Sequence, residues 1–173
     1  FFSKHLVFTI FAIFIMFIIS AIETSLLKKT VIPLFIIFFI LLALVPIIGV
    51  EVKGAKRWLN LSLFRLQPIE FLKPFFILAT VRILTLNKLQ NSKIRYLFSF
   101  FLLVSVIILL IDQPDLGQSI LLIGSWVATV FVSGVSLIYI FSFFIIFIIF
   151  ISSLLFLMPE KFGYIINRLS TFL

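Results

Sequence analysis

The sequence has no cysteine and a single histidine, His5. A disulfide framework is therefore excluded, and so is a zinc site built from Cys and His ligands. Charge is scarce as well. Charged residues make up 12% of the chain, whereas soluble domains carry about a quarter. Such a composition cannot supply an adequate surface in water.

What is present is apolar: 64% of the residues are hydrophobic, with 25 phenylalanines among them. That composition marks an all-α, polytopic membrane protein. A hydrocarbon core needs roughly 20 apolar residues per helix. Uncharged runs cover 6–22, 30–50 and 96–111. A fourth run, 116–159, suits two helices with a break at Ser133-Gly134-Val135-Ser136. A further segment, 68–86, is mostly apolar although it carries Glu70, Lys73 and Arg82. Six transmembrane helices result, at about 5–22, 31–50, 68–86, 94–111, 117–133 and 137–157, in one domain covering 1–173. Continuous apolar runs without alternation favour helices over barrel strands. The first run is read as an anchor rather than a signal peptide, because further spans follow. No internal repeat is visible. The chain starts at Phe1 and stops at Thr171-Phe172-Leu173 in what reads as a loop, so a central fragment is expected.

Positive residues divide almost evenly between the two ends of such a bundle. Lys28, Lys29, Arg82, Lys88, Lys93 and Arg95 fall at one end. Lys4, Lys53, Lys56, Arg57, Arg65, Lys73, Lys161 and Arg168 fall at the other, together with every acid except Glu23. The positive-inside rule reads idle loops; cations that bind something anionic break it. Charge alone leaves the orientation open.

Polarity concentrates in KGAKRWLNLSLFRLQPIEFLKP, residues 53–74. Lys53, Lys56 and Arg57 cluster beside Trp58. These residues fit an interfacial belt with snorkelling cations. They also fit an anionic headgroup site, since Arg and Lys pair with phosphate through charge-assisted hydrogen bonds. Gln67-Pro68-Ile69-Glu70 is a helix start: Pro68 suits the first position and Glu70 the positive end of the helix dipole. Glu70 and Lys73 share a face and can pair. Pro74 cannot donate to the Glu70 carbonyl, so a kink or widened turn is expected. Asp112-Gln113-Pro114-Asp115-Leu116-Gly117-Gln118 repeats the device. There Asp115 or Gln118 could hold a basic residue of the first loop, and Gly117 could admit another backbone closely; capping and packing alone would also account for them. His5 and Arg82 receive no role.

G-A-K-R-W, then Q-P-x-E-x-x-K, then Q-P-D-x-G at the next turn on the same side resembles the SEDS proteins (shape, elongation, division, sporulation). Ile69 stands where that family usually has Ser. The resemblance is greatest to the cell-division branch. It implies ten membrane helices, of which this chain would supply the second to the seventh. It implies that the end bearing Arg57 faces outward from the bacterial inner membrane, at the division septum. It also implies peptidoglycan glycosyltransferase activity on lipid II, a disaccharide-peptide carried on undecaprenyl pyrophosphate. The family's catalytic aspartate lies in a large outer loop, and this sequence ends within that loop before reaching it. No catalytic residue is therefore assigned to this chain.

On that basis Arg57, Lys56, Lys73, Lys53 and Trp58 are the expected substrate-binding residues. Gln67, Glu70, Asp115 and Gln118 are expected to shape the site. No cofactor is evident; a divalent cation could bridge pyrophosphate and carboxylates, although no ligand cluster demands one. The resemblance implies a class B penicillin-binding protein and other division proteins as partners, and no nucleic acid. Two alternatives stay open: a flippase or transporter of lipid-linked precursors, which also uses broken helices and intramembrane charge, and a non-catalytic membrane scaffold.

Overall fold

A computed structural model describes residues 2–52, 55–61, 65–86, 92–113 and 115–157. Six helices are present among them: α1 (Phe2–Ser20), α2 (Thr24–Ile48), α3 (Pro68–Leu84), α4 (Ser92–Asp112), α5 (Leu116–Val132) and α6 (Leu137–Leu157). The chain is thus helical, with as many helices as the uncharged runs suggest. Helix α2 starts earlier than expected, because Lys28 and Lys29 sit in its first turns instead of preceding it. Long cationic side chains can extend from a helix end into a polar phase without breaking the backbone.

Helix α3 occupies the middle, packing on α2, α4 and α5. Its buried residues Ile69, Leu72, Phe76 and Ala79 recur every three or four positions, which places them on one helix face. Leu103, Val106 and Leu110 of α4 and Leu122, Ile123 and Trp126 of α5 complete this core with Leu42 of α2. Phe38 of α2 stacks on Phe71 and Phe75 of α3, with ring centroids at 5.4 and 5.5 Å. Trp126 meets Phe143 of α6 at 5.5 Å and donates its indole N–H to Ser99 Oγ on α4 at 3.4 Å.

Two helices, Thr24–Ile48 and Lys93–Asp112, are long and apolar enough to cross a membrane. Large apolar side chains stand exposed along α1 and α6, among them Phe8, Phe11, Phe17, Ile146 and Ile149.

One element was not expected. Between α2 and α3 the chain forms a three-stranded antiparallel sheet in the order β1 (Val50–Val52), β2 (Ala55–Asn60), β3 (Arg65–Leu66). Val50 faces Trp58, Glu51 faces Lys56, and Leu59 faces Leu66. The turn into it depends on Gly49, whose N–H donates to Val45 O at 2.8 Å. A Cβ there would lie 2.2 Å from that same oxygen. At the other end of the bundle Gly134 makes the α5–α6 turn with φ +97°, a conformation that glycine adopts without steric cost.

Candidate functional site

Burial sorts the basic cluster. Along β2, Arg57 and Leu59 turn inward, Leu59 buried and Arg57 partly so, while Lys56 and Asn60 are exposed. Lys56 and Arg57 are adjacent in sequence but differ in exposure, at the point where the β1–β2 register shifts by one residue. Lys56 is opposite Glu51, and half-buried Trp58 is opposite Val50. Lys53 lies outside the described residues.

Arg57 reaches the α4–α5 junction. Its Nε–H donates to Gln113 O at 3.3 Å and lies 3.6 Å from Asp115 Oδ2. The shorter contact is the hydrogen bond; the longer is an ion pair. The two charged side chains are 22% and 9% exposed, so solvent screens the attraction only in part. Asp115 precedes α5, and its carbonyl accepts both the N–H and the hydroxyl of Ser119. Its own N–H donates to Leu110 O at 3.1 Å. Pro114 has no N–H with which to take that position.

A second polar group forms between the first turns of α3 and α5. Pro68 starts α3 and Glu70 lies in its first turn. Lys73 Nζ donates to Glu70 Oε2 at 2.6 Å, and Gln118 Nε2 donates to Glu70 Oε1 at 2.7 Å. Both carboxylate oxygens are thereby engaged, and α5 is tied to α3. Gln118 Oε1 is buried without a hydrogen-bond partner. Gln67 precedes α3 with an extended backbone, and its carbonyl accepts the Glu70 N–H at 3.1 Å. A Cβ at Gly117 would meet nothing within 4 Å, so no backbone approaches closely there among the described residues.

Gln113 was not singled out from the sequence, yet it is the most buried residue of the junction at 2% exposure. Its side-chain amide donates to Leu42 O at 3.1 Å. Pro46 lies four residues on in α2 and has no N–H to offer that carbonyl. A proline inside one helix and a glutamine before a proline in another were each visible in the sequence. Their meeting was not.

Arg57, Asp115, Glu70, Lys73 and Gln118 thus gather at one end of the bundle on β2, α3 and α5. Two cavities lie elsewhere. One of about 820 Å³ lies among α4, α5 and α6, beside Lys93, Tyr96, Trp126 and Tyr139. Another of about 400 Å³ lies between α3 and α5, beside Leu84, Thr129 and Ser133. Among the described residues no three His, Cys, Asp or Glu side chains gather as a metal site would require.

Residues 1–173 match the family model described as "Cell cycle protein", that of FtsW, RodA and SpoVE. A probable peptidoglycan glycosyltransferase FtsW from Buchnera aphidicola (subsp. Schizaphis graminum) is 31% identical over 140 residues, which is 79% of this chain and 40% of that relative. A solved structure titled for the coordination of polymerization and crosslinking by a peptidoglycan synthase complex superposes with a TM-score of 0.74 at 26% identity. That match covers 91% of this chain and 47% of the other. The Thermus thermophilus rod shape determining protein RodA gives a TM-score of 0.58 at 28% identity, over 75% of this chain and 44% of that one. The chain therefore spans less than half the length of these relatives. Motifs, sequence and backbone agree, and the chain belongs to the FtsW/RodA/SpoVE (SEDS) family, with its similarity directed to FtsW.

Proposed function

We propose that this chain supplies the outward-facing, pyrophosphate-binding part of a lipid II-polymerising peptidoglycan glycosyltransferase that builds septal wall during cell division. The observation that carries the reading is Arg57. It is a partly buried cation held in one orientation by Gln113 O and Asp115. Lys73 stands in a second polar group at the same end of the bundle. An arginine fixed in this way suits a phosphate, whose oxygens match the guanidinium fork.

The membrane location rests on composition, on the exposed apolar faces of α1 and α6, and on the two helices long enough to span a bilayer. Six spans in the inner membrane put both chain ends on one side, with Arg57 on the outer face. The reaction is glycosyl transfer. A sugar hydroxyl of one lipid II attacks the anomeric carbon of the growing chain, and the carbon–oxygen bond to undecaprenyl pyrophosphate breaks. The hydroxyl proton passes to a base, a role given to no residue described here. Negative charge develops on the departing pyrophosphate, where Arg57 stabilises it, helped by Lys73, Lys56 and Lys53. Trp58 covers the sugar or isoprenoid side. Glu70, Gln67, Asp115 and Gln118 hold these groups in place. The reading calls for no resident cofactor. A class B penicillin-binding protein is the crosslinking partner, in keeping with the complex whose backbone this chain resembles.

Reconstitution of the intact protein with lipid II is the test. The wild type should lengthen glycan chains, and Arg57→Ala should insert normally but polymerise about 10²–10³-fold more slowly. Movement of lipid II across the bilayer without glycan growth would point to a flippase instead.

A further inference from the structure

Buried amides seldom stand alone. Gln113 uses its two ends for different tasks. Its side-chain amide donates to Leu42 O, which Pro46 deprives of the usual N–H four residues on. Its main-chain carbonyl accepts the Arg57 Nε–H. One residue, 2% exposed, therefore joins the Leu42 carbonyl of α2, the end of α4 and the cation on β2. The next described residue, Asp115, is the carboxylate paired with Arg57. A shift of the Gln113 peptide would move both acceptors together.

We propose that Gln113 is the positioning residue for Arg57: the Leu42 carbonyl, four residues before Pro46 in α2, serves as the anchor point, and Gln113 carries that anchorage to the guanidinium. The functional consequence rests on the reading of Arg57 given above, but the geometric claim does not. A proline inside a helix removes the N–H that would ordinarily satisfy the carbonyl four residues before it. In α2 that carbonyl is the fixed point against which the α4–α5 junction is registered. The arrangement differs from simple gap-filling, in which Gln113 would only satisfy Leu42 O and Arg57 would find its place unaided.

Two variants separate these cases. Gln113→Leu keeps the volume but removes the donor, leaving Leu42 O buried and unpaired. Pro46→Ala restores an N–H to that carbonyl. An oxygen with two lone pairs can accept both this N–H and the Gln113 amide, so Pro46→Ala alone should leave the junction in place. These 173 residues contain no cysteine; with any cysteine elsewhere in the intact protein replaced by serine, spin labels go on Asn60→Cys on β2 and Ile120→Cys on α5, both exposed. The intact protein in nanodiscs is measured by electron–electron distance spectroscopy and by thermal unfolding.

Gln113→Leu should lower the unfolding midpoint by several degrees and turn one narrow label distance into a broad distribution. Adding Pro46→Ala should restore the midpoint but not the narrow distance. If the distance recovers together with the midpoint, Gln113 only fills the gap in α2 and the proposal is overturned. It is equally overturned if Gln113→Leu leaves the distance narrow. Should Gln113→Leu alone fail to fold, the double variant decides by the same criterion. The distance is independent of glycan synthesis, so this result stands or falls separately from the assigned reaction.

Discussion

Arg57 and Asp115 form an ion pair, Nε to Oδ2 at 3.6 Å, between a short strand and the head of a helix. Neither residue could hold that position alone. Arg57 is partly buried on β2, where the register with β1 shifts, and Asp115 is held by its N–H to Leu110 O. The pair joins the sheet to the helical core.

Asp115→Ala removes the carboxylate and leaves the guanidinium partly buried. Breaking a fully buried pair costs about 3–5 kcal/mol. Because Arg57 is 22% exposed, about 1–3 kcal/mol is expected here. Thermal or denaturant unfolding of the intact protein measures the loss. An unchanged midpoint would show that the pair contributes nothing to stability.

Glu70→Ala should behave differently. The Glu70 side chain is 46% exposed, and ion pairs of that kind contribute roughly 0–1 kcal/mol. Stability should therefore change by less than about 1 kcal/mol, while polymerisation falls roughly tenfold or more because Lys73 and Gln118 lose their common partner. Equal, small effects on both would reduce the Glu70–Lys73–Gln118 group to surface decoration.

Gly49→Ala places a methyl group on the Val45 carbonyl, where a Cβ would come within 2.2 Å. Relieving that clash must reshape the exit from α2 and shift β1 and β2 with it. A destabilisation of about 1–3 kcal/mol is expected, typical of overpacking. A midpoint equal to that of the wild type would show that the turn can re-form without the glycine.

The sequence carried the helices well and their connections poorly. Spans are written as uncharged runs, which lipid requires of any helix that crosses it. Pro68 marked the start of α3 at the observed residue. The sheet was hidden because V-E-V and A-K-R-W-L-N are too short, and too rich in charge, to stand out beside apolar helices. That omission mattered for the site. Read as a loop, Lys56 and Arg57 form one cluster; in the sheet Lys56 is exposed and Arg57 partly buried. Asp115 was one of two residues open as a tether for the first loop, and distance alone decided between them. Gln113 escaped notice because its partner carbonyl, Leu42 O, is freed by a proline in a different helix, a pairing that no local pattern records.

Orientation can be checked without any activity. Lys56 is exposed on β2, so Lys56→Cys in a cysteine-free protein should react with a membrane-impermeant maleimide added outside the inner membrane. Labelling that appears only after the membrane is opened would place the basic end in the cytosol.

Binding of undecaprenyl pyrophosphate to the intact, reconstituted protein tests the central claim most directly. Wild-type protein should bind it in preference to uncharged undecaprenol, and Arg57→Ala should weaken that binding by about tenfold or more, as expected for loss of a charge-assisted contact. Equal affinity for the two lipids, or for wild type and Arg57→Ala, would contradict the account.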